Sequence, residues 1–165
     1  AEALLRYALG TDRYQVQQEP DGKPRIPERP DFHYNLSHSG RYVVLAWGDG
    51  EVGVDVEEIR PDVNLQALAR RYFTKGEQDL IFSAQGESRA REFFRIWTAK
   101  ESYLKYLGVG LTRPLNSFCV VPDGTPLGVR FTSTFLEEHC LTLCAQEEAG
   151  PITFLEPASL IRREN

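Results

Sequence analysis

The chain has 165 residues, 41% of them hydrophobic and 26% charged, a make-up that fits one folded domain or two small fused halves and excludes a disordered chain. A net charge of -5 argues against broad nucleic-acid binding, which needs a basic face, and no apolar run reaches the length that spans a bilayer. Three cysteines, Cys119, Cys140 and Cys144, are too few and of the wrong parity for a disulfide framework and fit reduced cytosolic thiols.

The start carries no secretory signal pattern. The chain begins at Ala1 and holds no methionine, so Ala1 is expected not to be the natural first residue. Residues 2–9 read as a helix that Gly10 caps. Residues 14–18 alternate weakly, like a short strand. Residues 20–30 hold four prolines and Gly22 and read as a loop. Residues 32–36 and 42–47 are candidate strands. Gly48-Asp49-Gly50 then turns the chain into a strand over 52–59, the signal of a hairpin. Asn64 can cap a helix over 65–73. Thr74 and Glu77 have capping-box spacing for a second helix through residue 82. The polar stretch 83–88 separates it from a long helix over 89–107, which Gly108 and Gly110 end. Residues 117–121, a Pro122-Asp123-Gly124 turn, and residues 128–132, 139–146 and 152–155 read as strands of an antiparallel sheet. Cys140 and Cys144 share one face of their strand. Only His139 stands near them as a further ligand, so buried thiols are the better reading than a metal site.

Two segments carry chemistry. In Gly53-Val54-Asp55-Val56-Glu57 the strand alternation puts Asp55 and Glu57 on one face and the valines on the other. Two like charges this close call for a cation between them. On spacing alone, the plainer reading of a half-exposed strand with an acidic outer face is the better one. In the long helix Trp97, Glu101 and Lys105 recur every four residues and form one stripe. Glu101 to Lys105 is also the favoured order for a structural ion pair. Phe93, Phe94, Ile96, Tyr103, Leu104 and Leu107 make much of this helix apolar, and charged groups on a buried helix need partners. Ser37-His38-Ser39, between two strands, can face an anion or be a plain polar turn. A Ser–His nucleophilic pair is disfavoured, because neighbours in a strand point apart. Lys23 in Gly22-Lys23-Pro24 fits a phosphate-facing turn or a solvated loop.

Taken together in this order, Asn35-Leu36-Ser37-His38-Ser39, Gly53-Val54-Asp55-Val56-Glu57, and Trp97-Thr98-Ala99-Lys100-Glu101 with Phe94 before it and Lys105 after it resemble the Sfp-type 4'-phosphopantetheinyl transferases. Gly22-Lys23-Pro24 upstream and Gly110-Leu111, Pro114-Leu115 and Phe118 downstream agree. The resemblance implies an α+β fold built as a pseudo-two-fold pair of similar halves, each a small antiparallel sheet packed with helices, with the active site in the cleft between them. Residues 1–49 would be the first half, incomplete at its N-terminus, and 50–165 the second, carrying the metal site. The implied activity is Mg²⁺-dependent transfer of the 4'-phosphopantetheine group of coenzyme A to a serine of an acyl or peptidyl carrier protein, releasing adenosine 3',5'-bisphosphate.

By the same resemblance, Asp55, Glu57 and Glu101 would hold Mg²⁺. Glu101 and Lys105 would be catalytic. Lys23, Ser37, His38, Lys100 and Lys105 would contact coenzyme A, and Glu77 matches an acidic family position that its capping role explains equally well. The family's basic residues for the 3'-phosphate precede the first helix and have no counterpart here. The chain is expected to be a cytoplasmic monomer with no nucleic-acid or membrane partner, and Arg60, Arg70, Arg71, Lys75 and residues 107–118 are candidates for the carrier surface. The alternatives are a non-catalytic module that binds coenzyme A or the carrier, and a Mg²⁺-dependent nucleotide hydrolase, which the lack of a Gly-x-x-x-x-Gly-Lys-Ser/Thr loop disfavours.

Overall fold

The computed structural model describes residues 1–20, 22–60, 62–121 and 128–161. The order is helix α1 (Glu2–Leu9), strands β1 (Gln17–Gln18), β2 (Pro24–Arg25), β3 (His33–Ser39), β4 (Tyr42–Gly48) and β5 (Val52–Glu58), helices α2 (Leu65–Tyr72), α3 (Lys75–Ser83) and α4 (Gly86–Leu107), strands β6 (Arg130–Leu136) and β7 (His139–Ala145), and helix α5 (Pro157–Ile161). Two 3₁₀ turns, Gly110–Thr112 and Leu115–Ser117, follow α4. The fold is α+β with small antiparallel sheets, as the sequence implied: β1–β2, β3–β4, and a three-stranded sheet in the order β5-β7-β6.

Local chemistry sets the ends. Gly10 sits at φ 68° and returns its N–H to Arg6 O at 2.9 Å, closing α1. Asn64 Oδ1 accepts Ala67 N–H at 3.1 Å to start α2. Glu77 accepts Thr74 N–H at 2.8 Å at the head of α3. Helix α4 begins three residues earlier than its apolar pattern suggests, at Gly86. Its apolar face, including Phe93, Phe94, Ile96, Tyr103 and Leu104, packs over β7, where Cys140 and Cys144 are fully buried. That core explains both cysteines as apolar fillers.

Three expectations change. Residues 117–121 and 152–155 form no strand: the first runs from the end of a 3₁₀ turn through a bend into irregular chain, and the second is irregular chain ahead of α5. The Pro122-Asp123-Gly124 turn lies outside the described residues. Gly48-Asp49-Gly50 joins β4 to β5 without a paired hairpin, because β5 takes its backbone partner from β7, with Asp55 opposite Thr142 and Glu57 opposite Cys140. The other edge of β5 meets β3 through side chains. Val54, Val56 and Glu58 donate their backbone N–H to Asn35 Oδ1, Ser37 Oγ and Ser39 Oγ at 2.9, 3.2 and 3.0 Å.

Gly53 fixes how close α4 lies on β5. A Cβ at this position would stand 2.0 Å from Ser102 O and 2.4 Å from Tyr106 N, so only glycine lets the helix seat here. That seating brings the stripe of α4 that holds Glu101 and Lys105 against Asp55.

Candidate active site

An open pocket of about 410 Å³ forms where β3, β5 and α4 meet, lined by Ser37, His38, Asp55, Glu57, Glu101 and Lys105, with Leu36 and Trp97 as apolar walls. A larger open groove of about 530 Å³ runs beside β1 and β2 and has one carboxylate, Glu19, in its lining. The chemistry concentrates in the smaller pocket.

Lys105 Nζ donates to Asp55 Oδ1 at 2.7 Å, Ser37 Oγ at 3.0 Å and Val54 O at 3.1 Å, which uses all three of its protons. Ser37 Oγ in turn donates to Asp55 Oδ1 at 3.0 Å. Asp55 Oδ2 is buried and has no partner among the described residues. An unpaired carboxylate oxygen in the interior is costly unless a water, an ion or a reacting group meets it. Glu101 likewise makes no hydrogen bond among the described residues, while Glu57 has a long one, 3.4 Å, from Ser39 Oγ.

The electrostatics agree. Burial pushes the Asp55 carboxyl above the ordinary range, against the pull of Lys105 and Ser37. Burial and then the Asp55 charge push Glu57 up. Burial and then Asp55, with a smaller push from Glu57, raise Glu101, opposed by Lys105. Glu57 feels the Asp55 charge, and Glu101 feels both Asp55 and Glu57, so three acids share one small space with Lys105 as the cation that lines it. Among the described residues no three His, Cys, Asp or Glu side chains already surround one point as metal ligands. With Lys105 closed onto Asp55, gathering the carboxylates about a cation takes side-chain rotation.

The structure therefore brings Ser37, His38, Asp55, Glu57, Glu101 and Lys105 together and leaves two expected residues elsewhere. Lys100 is on the opposite side of α4, fully buried, donating to Leu115 O at 2.7 Å and Phe118 O at 2.6 Å and pairing with Glu77 at 2.9 Å. It is five residues from Lys105, which sets their faces about 140° apart around the helix. Glu77 accepts Val120 N–H at 2.9 Å as well, so it is a buried junction of loop and helix. Lys23 is buried against Glu51 and the Tyr106 carbonyl, where it holds the last turn of α4. Sequence reading passed over the hydrogen-bonding role of Asn35 and Ser39. The available signal was that Asn35, Ser37 and Ser39 recur every two residues, as Gly53, Asp55 and Glu57 do.

The family's sequence model, described as the 4'-phosphopantetheinyl transferase superfamily, matches residues 51–151. The chain belongs to that superfamily. It is 36% identical over 115 residues to the 4'-phosphopantetheinyl transferase Sfp of Bacillus subtilis, covering 70% of this chain and 50% of the relative. It is 41% identical over 123 residues to the transferase psf-1 of Bacillus pumilus, covering 71% and 52%. With the transferase AcpT of Salmonella typhimurium it shares 41% over 106 residues, 64% of this chain and 55% of the relative. The chain spans about half the length of the curated relatives it matches.

Proposed function

We propose that this protein moves the 4'-phosphopantetheine group of coenzyme A onto a serine of an acyl or peptidyl carrier protein, releasing adenosine 3',5'-bisphosphate. The observation that carries this reading is the cluster of Asp55, Glu57 and Glu101 on one open pocket, with Lys105 bonded to Asp55 at its wall, in a chain of this superfamily. The orphaned Asp55 Oδ2, and the Glu57 and Glu101 carboxyls that burial and the Asp55 charge raise, suit a hard divalent cation, and these three residues would hold Mg²⁺. When bound, Mg²⁺ supplies positive charge for a pyrophosphate at this wall.

The chain's own groups account for the remaining chemistry. The carrier serine oxygen bonds to the β-phosphorus of coenzyme A as the bridging P–O bond breaks, and the electron pair leaves with adenosine 3',5'-bisphosphate. The serine proton goes to Glu101, which lines the pocket and whose side chain makes no hydrogen bond among the described residues. Lys105 neutralises the departing phosphate, and for that it exchanges Asp55 for the ligand. His38, which lines the pocket, is the second anion contact. Ser37 acts through the groups it holds, since its hydroxyl is already committed to Val56, Lys105 and Asp55.

The carrier surface in this reading is α2 and the segment before it. Arg60, Arg70 and Arg71 are exposed, as is Lys75, which pairs with Asp79. Tyr72 of α2 meets Trp97, a wall of the pocket, edge-on at 5.8 Å, so a carrier bound there stands beside the acids. Residues 1–49 and 50–165 are read as two halves with the pocket between them, in a cytoplasmic monomer. All three cysteines are free, and no helix among the described residues is long and apolar enough to cross a membrane.

The test mixes the protein with an apo carrier protein, coenzyme A and Mg²⁺ and records the carrier's intact mass. A gain of one phosphopantetheine group, abolished by EDTA, is expected. Coenzyme A that protects the protein from thermal unfolding while the carrier gains no mass would overturn the transferase reading in favour of a binding module.

A further inference from the structure

Strand β3 runs beside β5 in the same direction, and its side chains replace the backbone ladder between them. The three bonds keep one offset of nineteen residues: Asn35 with the amide of Val54, Ser37 with that of Val56, Ser39 with that of Glu58. Alternate amides of a strand point to one edge, and alternate side chains share one face, so the two periods of two interlock. An open edge of β5 is thereby closed with side-chain oxygens.

Two of the three contacts do more. A serine hydroxyl accepts and also donates, whereas the Asn35 carbonyl oxygen can only accept. Ser37 accepts Val56 N–H and donates to Asp55 Oδ1 at 3.0 Å; Ser39 accepts Glu58 N–H and donates to Glu57 Oε2 at 3.4 Å. Each serine thus holds the amide nineteen residues on and the acid eighteen residues on. The position eighteen residues after Asn35 is Gly53, which has no side chain and, under α4, no room for one.

We propose that Ser37 and Ser39 are positioning residues that set the Asp55 and Glu57 carboxylates for a divalent cation, and that Asn35 only closes the edge of β5. This rests on the metal reading given under Proposed function. Ser37 Oγ accepts from both Val56 N–H and Lys105 Nζ, which leaves its proton for Asp55, while the Glu58 amide holds Ser39 Oγ within reach of Glu57. Residues that orient metal-binding carboxylates in this way change metal affinity when removed, by about 10–100-fold.

The experiment measures Mn²⁺ binding by electron paramagnetic resonance on the full chain without coenzyme A, with thermal melts on the same samples. The variants are Asn35→Ala, Ser37→Ala, Ser39→Ala and Ser39→Thr. All three alanine variants lose one edge contact and are expected to melt lower. Only the two serine variants are expected to weaken Mn²⁺ binding, by about 10–100-fold, and Ser39→Thr, which keeps a hydroxyl and suits a strand, restores it. Mn²⁺ affinity that falls equally in Asn35→Ala would reduce the serines to structural contacts. Mn²⁺ affinity unchanged in Ser39→Ala would also overturn the proposal, and it stays decisive if Ser37→Ala, at the more buried position, fails to fold. A parent protein that binds no Mn²⁺ would instead sink the metal reading and this inference with it.

Discussion

Helix α4 carries two lysines five residues apart, each paired with a carboxylate, and the two pairs are opposites. Lys100 and Glu77 are both 0% exposed at the side chain, and their polar atoms are used up by the Leu115, Phe118, Thr74 and Val120 backbone and by each other. Lys105 and Asp55 are 29% and 6% exposed, lie on a pocket, and leave Asp55 Oδ2 without a partner. Burial pushes the Lys100 amine below the ordinary lysine value, with the Glu77 carboxylate opposing it. Burial alone therefore does not mark a charge with bonding capacity to spare, since the more buried pair is the one whose hydrogen bonds are all made. The mark is unused hydrogen-bonding capacity facing open space.

The largest effect that tests this contrast is on turnover. Glu101→Gln keeps shape and removes one charge from the unpaired side of the comparison. Transfer to the carrier is expected to fall by on the order of 10²–10³-fold, the range for losing one electrostatic contact with developing charge. The melting temperature of the metal-free protein should hold or rise, because the change relieves a partly buried acid pressed by Asp55 and Glu57. Turnover within a few-fold of the parent, measured by carrier mass at saturating Mg²⁺, would remove Glu101 from the chemistry.

Lys100→Met breaks the closed pair and leaves Glu77 buried and uncompensated. A loss of about 3–5 kcal/mol in urea unfolding is expected. Whatever variant protein remains folded should have coenzyme A affinity close to the parent's. A variant that kept its stability and lost coenzyme A affinity would return Lys100 to the coenzyme A contacts, as the sequence resemblance implied.

These two lysines also show what was legible beforehand. The stripe of Trp97, Glu101 and Lys105 follows from helical periodicity, and the face shared by Asp55 and Glu57 from strand periodicity, so their meeting needed only the seating of α4 that Gly53 permits. Helices α1 to α4 and the caps at Gly10, Asn64 and Thr74 were readable for the same reason, because their signals are local, whereas α5 was not read and the α+β class came from the resemblance. Lys100 was not separable from Lys105, since both are lysines in one motif and the side of the helix that meets Glu77 depends on the loop after α4. The β4–β5 turn carried every local sign of a hairpin, yet β5 pairs with β7, more than eighty residues on in sequence, and no local signal records that choice. The contacts of β3 with β5 escaped because polar alternation on a strand reads as solvent exposure.

A third pair sharpens the comparison with the smallest effect. Lys23 and Glu51 join β2 to the start of β5, with Arg25 and His33 on the same carboxylate. Glu51 is one-third exposed, between the sealed pair and the open one. Burial pushes its carboxyl up, but Lys23 and Arg25 outweigh that and hold it below the ordinary glutamate value. A carboxylate depressed in the folded state stabilises above its unfolded pKa of about 4.3, and that contribution disappears as the pH falls through its folded value. Glu51→Gln is therefore expected to lose stability at pH 7, about 1–2 kcal/mol once solvent screening is allowed for, with the deficit shrinking toward zero in acid below pH of about 4. Urea melts of parent and variant at several pH values read this directly. A constant deficit across pH would mean packing rather than charge. No deficit at any pH would mean that the contacts of Lys23 with Glu51 and the Tyr106 carbonyl do not hold the last turn of α4, and Lys23 would again be a candidate for the phosphates of coenzyme A.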